Sequence, residues 1–174
     1  MIPKKNISNV FIIFLFFHLF IWTLIPTLSN LNLPLDTIEA LAWGSNLDWG
    51  FDKHPPLSAI VVQFIYLIFG PQDWVYYLLS QIFVIIAFIY VWKLSEEIFS
   101  EKIFSLISLF ILEGVYFYNY TTPEFNVNVC QLPLWALTVY YFWKSIKTDK
   151  ILNWTLFGIF SALGFLSKYL FIYL

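Results

Sequence analysis

Residues 10–28 read VFIIFLFFHLFIWTLIPTL, nineteen positions without an aspartate, glutamate, lysine or arginine. About 20 apolar residues wound as a helix cover the ~30 Å of hydrocarbon in a bilayer, so this stretch predicts a transmembrane helix, with His18 and Pro26 as its blemishes. Lys4 and Lys5 stand ahead of it. A charged head before an apolar body also describes a signal peptide. Here the uncharged run continues to Leu35 and lacks a small-x-small cleavage site, which favours an uncleaved anchor.

Beyond this run the chain keeps the same character. Sixty per cent of its 174 residues are apolar and 11% are charged, against about 25% charged in an ordinary soluble domain. Further uncharged runs cover residues 55–72, 74–92, 103–112 continuing past Glu113, 125–143 and 151–167. All nine cations are lysine and the net charge is −2, which leaves no basic face for nucleic acid. The single Cys130 excludes an internal disulfide, and no Cys/His spacing suits a metal. The expected fold is all-α, a polytopic transmembrane helix bundle.

Lysine placement decides how the runs are threaded. The positive-inside rule puts the N-terminus in the cytoplasm. If 55–69 stays at the outer interface, then Lys4, Lys5, Lys93, Lys102, Lys144, Lys147 and Lys150 all fall inside and Lys53 is left in an outer loop. If it crosses, five of those seven move outside. The rule therefore favours an interfacial or re-entrant helix over residues 57–69 in the first outer loop. Pro55 and Pro56 stand at its start, where a missing N–H costs little. About five crossings follow, at 10–28, 74–93, 103–119, 125–143 and 152–172. Two outer loops result, 29–73 and 119–124.

Chemistry-bearing residues gather in those loops. Asp36 and Glu39 are three apart, so a helix puts them on one face; the same spacing suits an N-cap at Asp36 with Glu39 completing a capping box. Lys53-His54-Pro55-Pro56-Leu57 sets a cation and an imidazole where a loop enters a helix with free N-terminal amides, which is anion-binding geometry. Snorkelling toward lipid head groups is the alternative for these two side chains. Glu124 is the sole acid of the second outer loop. Glu113 and Lys168 lie inside apolar runs, where an ionisable group is costly unless paired or wet. His18, alone among Phe and Leu, reads as structural.

The string Leu35-Asp36-Thr37-Ile38-Glu39, with Trp43-Gly44, Leu47-Asp48-Trp49-Gly50-Phe51-Asp52 and Lys53-His54-Pro55-Pro56-Leu57 after it, resembles the first outer loop of bacterial polyprenyl-phosphate-dependent glycosyltransferases of the GT-C fold. These are the protein O-mannosyltransferases and lipid A aminoarabinose transferases. The likeness continues through Phe69-Gly70-Pro71-Gln72-Asp73-Trp74, Thr122-Pro123-Glu124, Leu132-Pro133-Leu134-Trp135 and Gly164-Phe165-Leu166-Ser167-Lys168-Tyr169.

The resemblance implies a base at Asp36, with Glu39 and Glu124 completing the catalytic set, and Lys53 and His54 near the donor's lipid phosphate. Family members often carry Asp where this chain has Glu124. It implies a polyprenyl-phosphate-linked sugar donor, a membrane-lipid setting in the bacterial inner membrane and a cell-envelope lipid or glycan acceptor. No cofactor follows with certainty, and a divalent cation would be compatible with the acids. Such enzymes usually have about twice as many spans and a C-terminal outer domain, so residues 1–174 read as the N-terminal part. A separate C-terminal half then enters as a partner, and an inactive remnant or membrane scaffold is the rival reading.

Overall fold

The computed structural model describes residues 4–174. Among them are seven α-helices and no strand: α1 (Lys4–Ser29), α2 (Leu35–Gly44), α3 (Leu57–Phe69), α4 (Asp73–Ile98), α5 (Lys102–Glu113), α6 (Val127–Thr148) and α7 (Ile151–Ser167), with 3-10 turns at Tyr116–Tyr118 and Tyr169–Tyr173. Helix is the form that satisfies every backbone N–H and C=O within one segment, as hydrocarbon demands.

α4 is the axis. Its buried residues, among them Val75, Tyr76, Leu79, Gln81, Val84, Phe88 and Trp92, occupy more than one side, because α1, α5 and α6 all pack against it. Aromatic pairs mark the seams. Phe11 stacks on Trp92 at 4.2 Å and Phe14 meets Phe88 at 5.6 Å between α1 and α4. Tyr90 meets Tyr140 at 5.3 Å between α4 and α6, and Tyr141 stacks on Phe160 at 5.4 Å between α6 and α7. Each such pair adds about 0.5–1.5 kcal/mol beyond its buried area.

The outside of the bundle is as apolar as its seams. Ile12, Phe16, Phe17 and Ile25 on α1 are each more than half exposed. In water each would forgo the ~1.5–3 kcal/mol gained by burying such a side chain; in lipid they lose nothing. Two helices, over Asn6–Ser29 and Asp73–Ile98, are long and apolar enough to cross a membrane. The fold is an all-α transmembrane bundle. α3 covers the expected Leu57–Phe69. At 13 residues and 1.5 Å each it is about 20 Å long, short of the ~30 Å needed to cross.

Two expected spans are interrupted. The run 103–119 does not form one helix: α5 stops at Glu113, Gly114 follows as its C-cap, and the chain winds into the 3-10 turn. The Glu113 carboxylate reaches His18 at 3.0 Å, and Asn119 Nδ2 donates to the Glu113 carbonyl, so the polar groups of this bend are drawn back onto the bundle. The run 152–172 breaks similarly, since α7 ends at Ser167 and Lys168 is extended.

Apart from Glu113 beside His18 inside the bundle, the described charges divide between two ends. At one, Lys102 lies 3.0 Å from Glu96 and donates to Ser8 at 3.2 Å, and Lys144 and Lys147 clasp Glu97 at 2.9 and 2.7 Å. The side chains of Lys4 and Lys5 lie outside the described set. At the other end sit α2, the start of α3, Lys53 and Glu124.

α2 and α3 pack tightly there. A Cβ built on Gly44 would come within 2.9 Å of Gln63 Cβ and 3.0 Å of the Ala59 carbonyl oxygen. Gly44→Ala is therefore expected to force the two helices apart and lower stability by about 1–3 kcal/mol, read as a lower thermal midpoint in detergent; an unchanged midpoint would contradict this packing.

Candidate functional site

Pro34, at φ −59°, precedes the first turn of α2. Asp36 lies inside that turn and makes no capping bond, which corrects the expected N-cap and capping box. One backbone amide and two side chains of this turn are bonded by a distant segment instead. Asp36 N–H donates to Glu124 Oε1 at 3.0 Å, Thr37 Oγ1 donates to the Phe125 carbonyl at 3.1 Å, and Asn126 Nδ2 donates to Asp36 Oδ2 at 3.2 Å. A carboxylate at a helix N-terminus also meets the positive end of the helix dipole. Residues 124–126 thus lie along the first turn of α2, and Asn126 caps α6 through Oδ1, which accepts from Asn128 N at 2.9 Å and Val129 N at 3.1 Å.

Glu39, one turn on from Asp36, accepts from Lys53 Nζ at 2.6 Å. That hydrogen bond, and then the carboxylate's charge, raises the Lys53 pKa above its ordinary value. Lys53 is mostly exposed, so the pair adds little to stability. Between these groups lies a narrow cleft lined by Asp36, Glu39, Trp43, His54, Ser58 and Asn126, with room of about 10 Å³. This is the space of a single water, not of a sugar.

His54 is half-buried at the cleft. Its ring lies 6.0 Å from that of Trp43, which stacks on Phe51 at 5.0 Å. Burial, and next the charge of Lys168, lower its pKa. Lys168 is brought here by the break after α7 and donates to Asn128 Oδ1 on α6. Ser58 Oγ, in the first turn of α3, is buried in the same lining with no hydrogen-bond partner among the described residues.

Of the residues expected from the sequence, Asp36, Glu39 and His54 share the cleft, and Lys53 joins through Glu39. Glu124 touches Asp36 from behind and lines a different groove of about 410 Å³, with Trp22, Pro34, Tyr120 and Pro123. Among the described residues no group of three or more His, Cys, Asp or Glu is placed to hold a metal. The sequence reading missed Asn126, Asn128 and Ser58 as site neighbours. Asn126, a polar residue directly ahead of an apolar helix, carried a readable cap signal; the other two carried none, since their roles come from contacts between distant segments.

A lipid-facing helical bundle with a polar cleft at one end defines an integral membrane protein with a candidate site at one end of its bundle. The family model for dolichyl-phosphate-mannose-protein mannosyltransferases matches residues 53–174. The chain belongs to that family and is a membrane glycosyltransferase of the GT-C type. Lys53, His54 and Glu124 fall within the matched residues, whereas Asp36 and Glu39 precede them. No curated protein and no solved structure matches the chain.

Because folding lowers the His54 pKa from 6.5, the folded form binds its proton less readily than the unfolded form. Its contribution to stability is full above pH 6.5 and is lost as pH falls through the folded value. His54→Gln is expected to flatten the loss of stability on acidification below pH 6.5, followed by thermal unfolding at a series of pH values; an unaltered pH dependence would contradict it.

Proposed function

We propose that this chain carries one part of the site at which a sugar passes from a polyprenyl phosphate to a hydroxyl group of a cell-envelope lipid or glycan. Asp36 takes the acceptor's proton. The acceptor oxygen then bonds to the anomeric carbon as the bond from that carbon to the phosphate oxygen breaks, and polyprenyl phosphate leaves. The Lys53 ammonium offsets the charge of the leaving phosphate, and the His54 ring N–H and the free amides at the start of α3 donate hydrogen bonds to it. Glu39 holds Lys53, and Glu124 supports α2 beneath Asp36.

The observation that carries this reading is the shared cleft, in which a carboxylate, an imidazole and the N-terminal turn of α3 face one another. The membrane is the bacterial inner membrane. The lysine-rich end faces the cytoplasm with the N-terminus, the cleft opens on the outer side, and α3 lies along the outer interface. Residues 1–174 act as the N-terminal part of the enzyme, and a separate C-terminal half opens and completes a cleft that by itself admits about one water. That small volume also favours the second reading, a non-catalytic membrane scaffold.

Cysteines at Asn46 and Thr148 are expected to react with impermeant thiol reagents from opposite sides, Asn46 from outside; reaction of both from one side would refute the orientation. In membranes that also hold a C-terminal half, Asp36→Asn is expected to lower sugar transfer about 10²–10⁴-fold with insertion intact, since the amide keeps the shape and loses the basicity. Unchanged transfer removes Asp36 as the base, and no transfer by the parent chain in any pairing favours the scaffold.

A further inference from the structure

His18 and Glu113 belong to a polar network inside the bundle. His18 is 4% exposed, and Ser80, Gln81 and Thr122 are fully enclosed. His18 Nδ1 lies 3.0 Å from Glu113 Oε2 without forming a hydrogen bond to it. Its Nε2 faces Gln81 Oε1 at 3.1 Å. Gln81 Nε2 donates to Thr122 Oγ1 at 3.1 Å, Thr122 Oγ1 donates to the Asn119 carbonyl at 2.7 Å, and Ser80 Oγ donates to the Thr122 carbonyl. Two residues later the chain reaches Glu124, Phe125 and Asn126, which hold the first turn of α2.

A polar side chain in hydrocarbon needs a specific partner, and packing alone would be met by leucine at position 81. Gln81 instead bonds from both ends of its amide, one to α1 and one to the loop. Neutral groups locked this way fix a register more sharply than apolar contact does.

We infer that Gln81, held by His18, is a positioning residue for the candidate base: through Thr122 it fixes segment 122–126 against α2 and thereby sets the Asp36 carboxylate. The inference rests on Asp36 acting as the base. A displacement of 1 Å at a reacting group is worth about 10²-fold in rate, so loosening the loop acts on turnover and leaves donor affinity nearly unchanged.

The test compares Gln81→Leu with Gln81→Glu in lipid nanodiscs with a C-terminal half supplied, reading sugar transfer and amide hydrogen exchange. Leucine has the bulk without the bonds. Glutamate keeps an acceptor for His18 Nε2 but loses the amide donor to Thr122 Oγ1, whose one proton goes to the Asn119 carbonyl. Gln81→Leu is expected to speed exchange of residues 119–126 and of the Asp36 amide roughly tenfold or more, a scale set by local opening, and to lower kcat by about 10- to 100-fold with the donor KM unchanged; Gln81→Glu, without the donor to the loop, follows Gln81→Leu in both. Unchanged exchange in Gln81→Leu, or a Gln81→Glu variant whose loop exchanges as slowly as the parent's, overturns the inference.

Faster exchange without loss of transfer also overturns it when Asp36→Asn abolishes transfer. If Asp36→Asn leaves transfer intact, the base reading fails by itself, and the exchange arm still decides whether Gln81 holds the loop. Should Gln81→Leu fail to insert, Thr122→Val set against Thr122→Ser asks the same question: loss with valine and retention with serine support the link, and equal behaviour of the two overturns it.

Discussion

Three hydrogen bonds between the first turn of α2 and residues 124–126 hold the candidate site in register. A helix leaves its first N–H groups without partners of its own, and those at the start of α2 need partners from elsewhere in the chain. Pro34 starts α2 without a side chain able to cap it, and the Asp36 amide it leaves open is met by Glu124. Phe125 and Asn126 follow because they are adjacent in the chain. Phe125 is then buried against Phe83 of α4, ring to ring at 5.2 Å, which couples α2 to the axis of the bundle through an element that belongs to neither.

The architecture was largely legible in the sequence because membrane solvation imposes a coarse rule: uncharged length makes a span, and lysines collect at one end. Residues 10–28 and 74–93 fall inside α1 and α4 for that reason, and the double proline of 55–56 marked the start of α3. The rule misjudged residues 103–119. Hydropathy registers Phe, Ile and Leu but not the pull of His18 on Glu113 from another helix, and a glycine at position 114 gave the chain a place to yield. His18 read as a lone structural histidine, and its ring does sit in the core, yet its polar partners come from α4 and α5.

The site was legible residue by residue, less so in its arrangement. Asp36 and Glu39 at helical spacing and the Lys53-His54 pair could be picked out by type, and the family match over residues 53–174 accords with the likeness seen in Lys53-His54-Pro55-Pro56. The spacing of Asp36 and Glu39 equally suited a capping box, and local sequence alone could not choose between the two. The choice is made by Glu124, 88 residues away, which serves the Asp36 amide and leaves the Asp36 side chain to Asn126. Lys168 was visible as a charge in an apolar run, but its approach to His54 follows from the break after Ser167.

The two ends of the bundle are fastened by different forces. Glu97 in the grip of Lys144 and Lys147, and Glu96 with Lys102, are ion pairs at or near the surface; dissolved salt screens such pairs over about 8 Å at physiological ionic strength and about 3 Å at 1 M. At the other end the Lys53–Glu39 pair is equally open to salt, but the register of α2 rests on hydrogen bonds, two of them to the carboxylates of Glu124 and Asp36 and one neutral, and on a buried ring. Rising ionic strength therefore acts unevenly along the molecule, slackening the joint between α4 and α6 at the lysine end while the geometry around Asp36 holds.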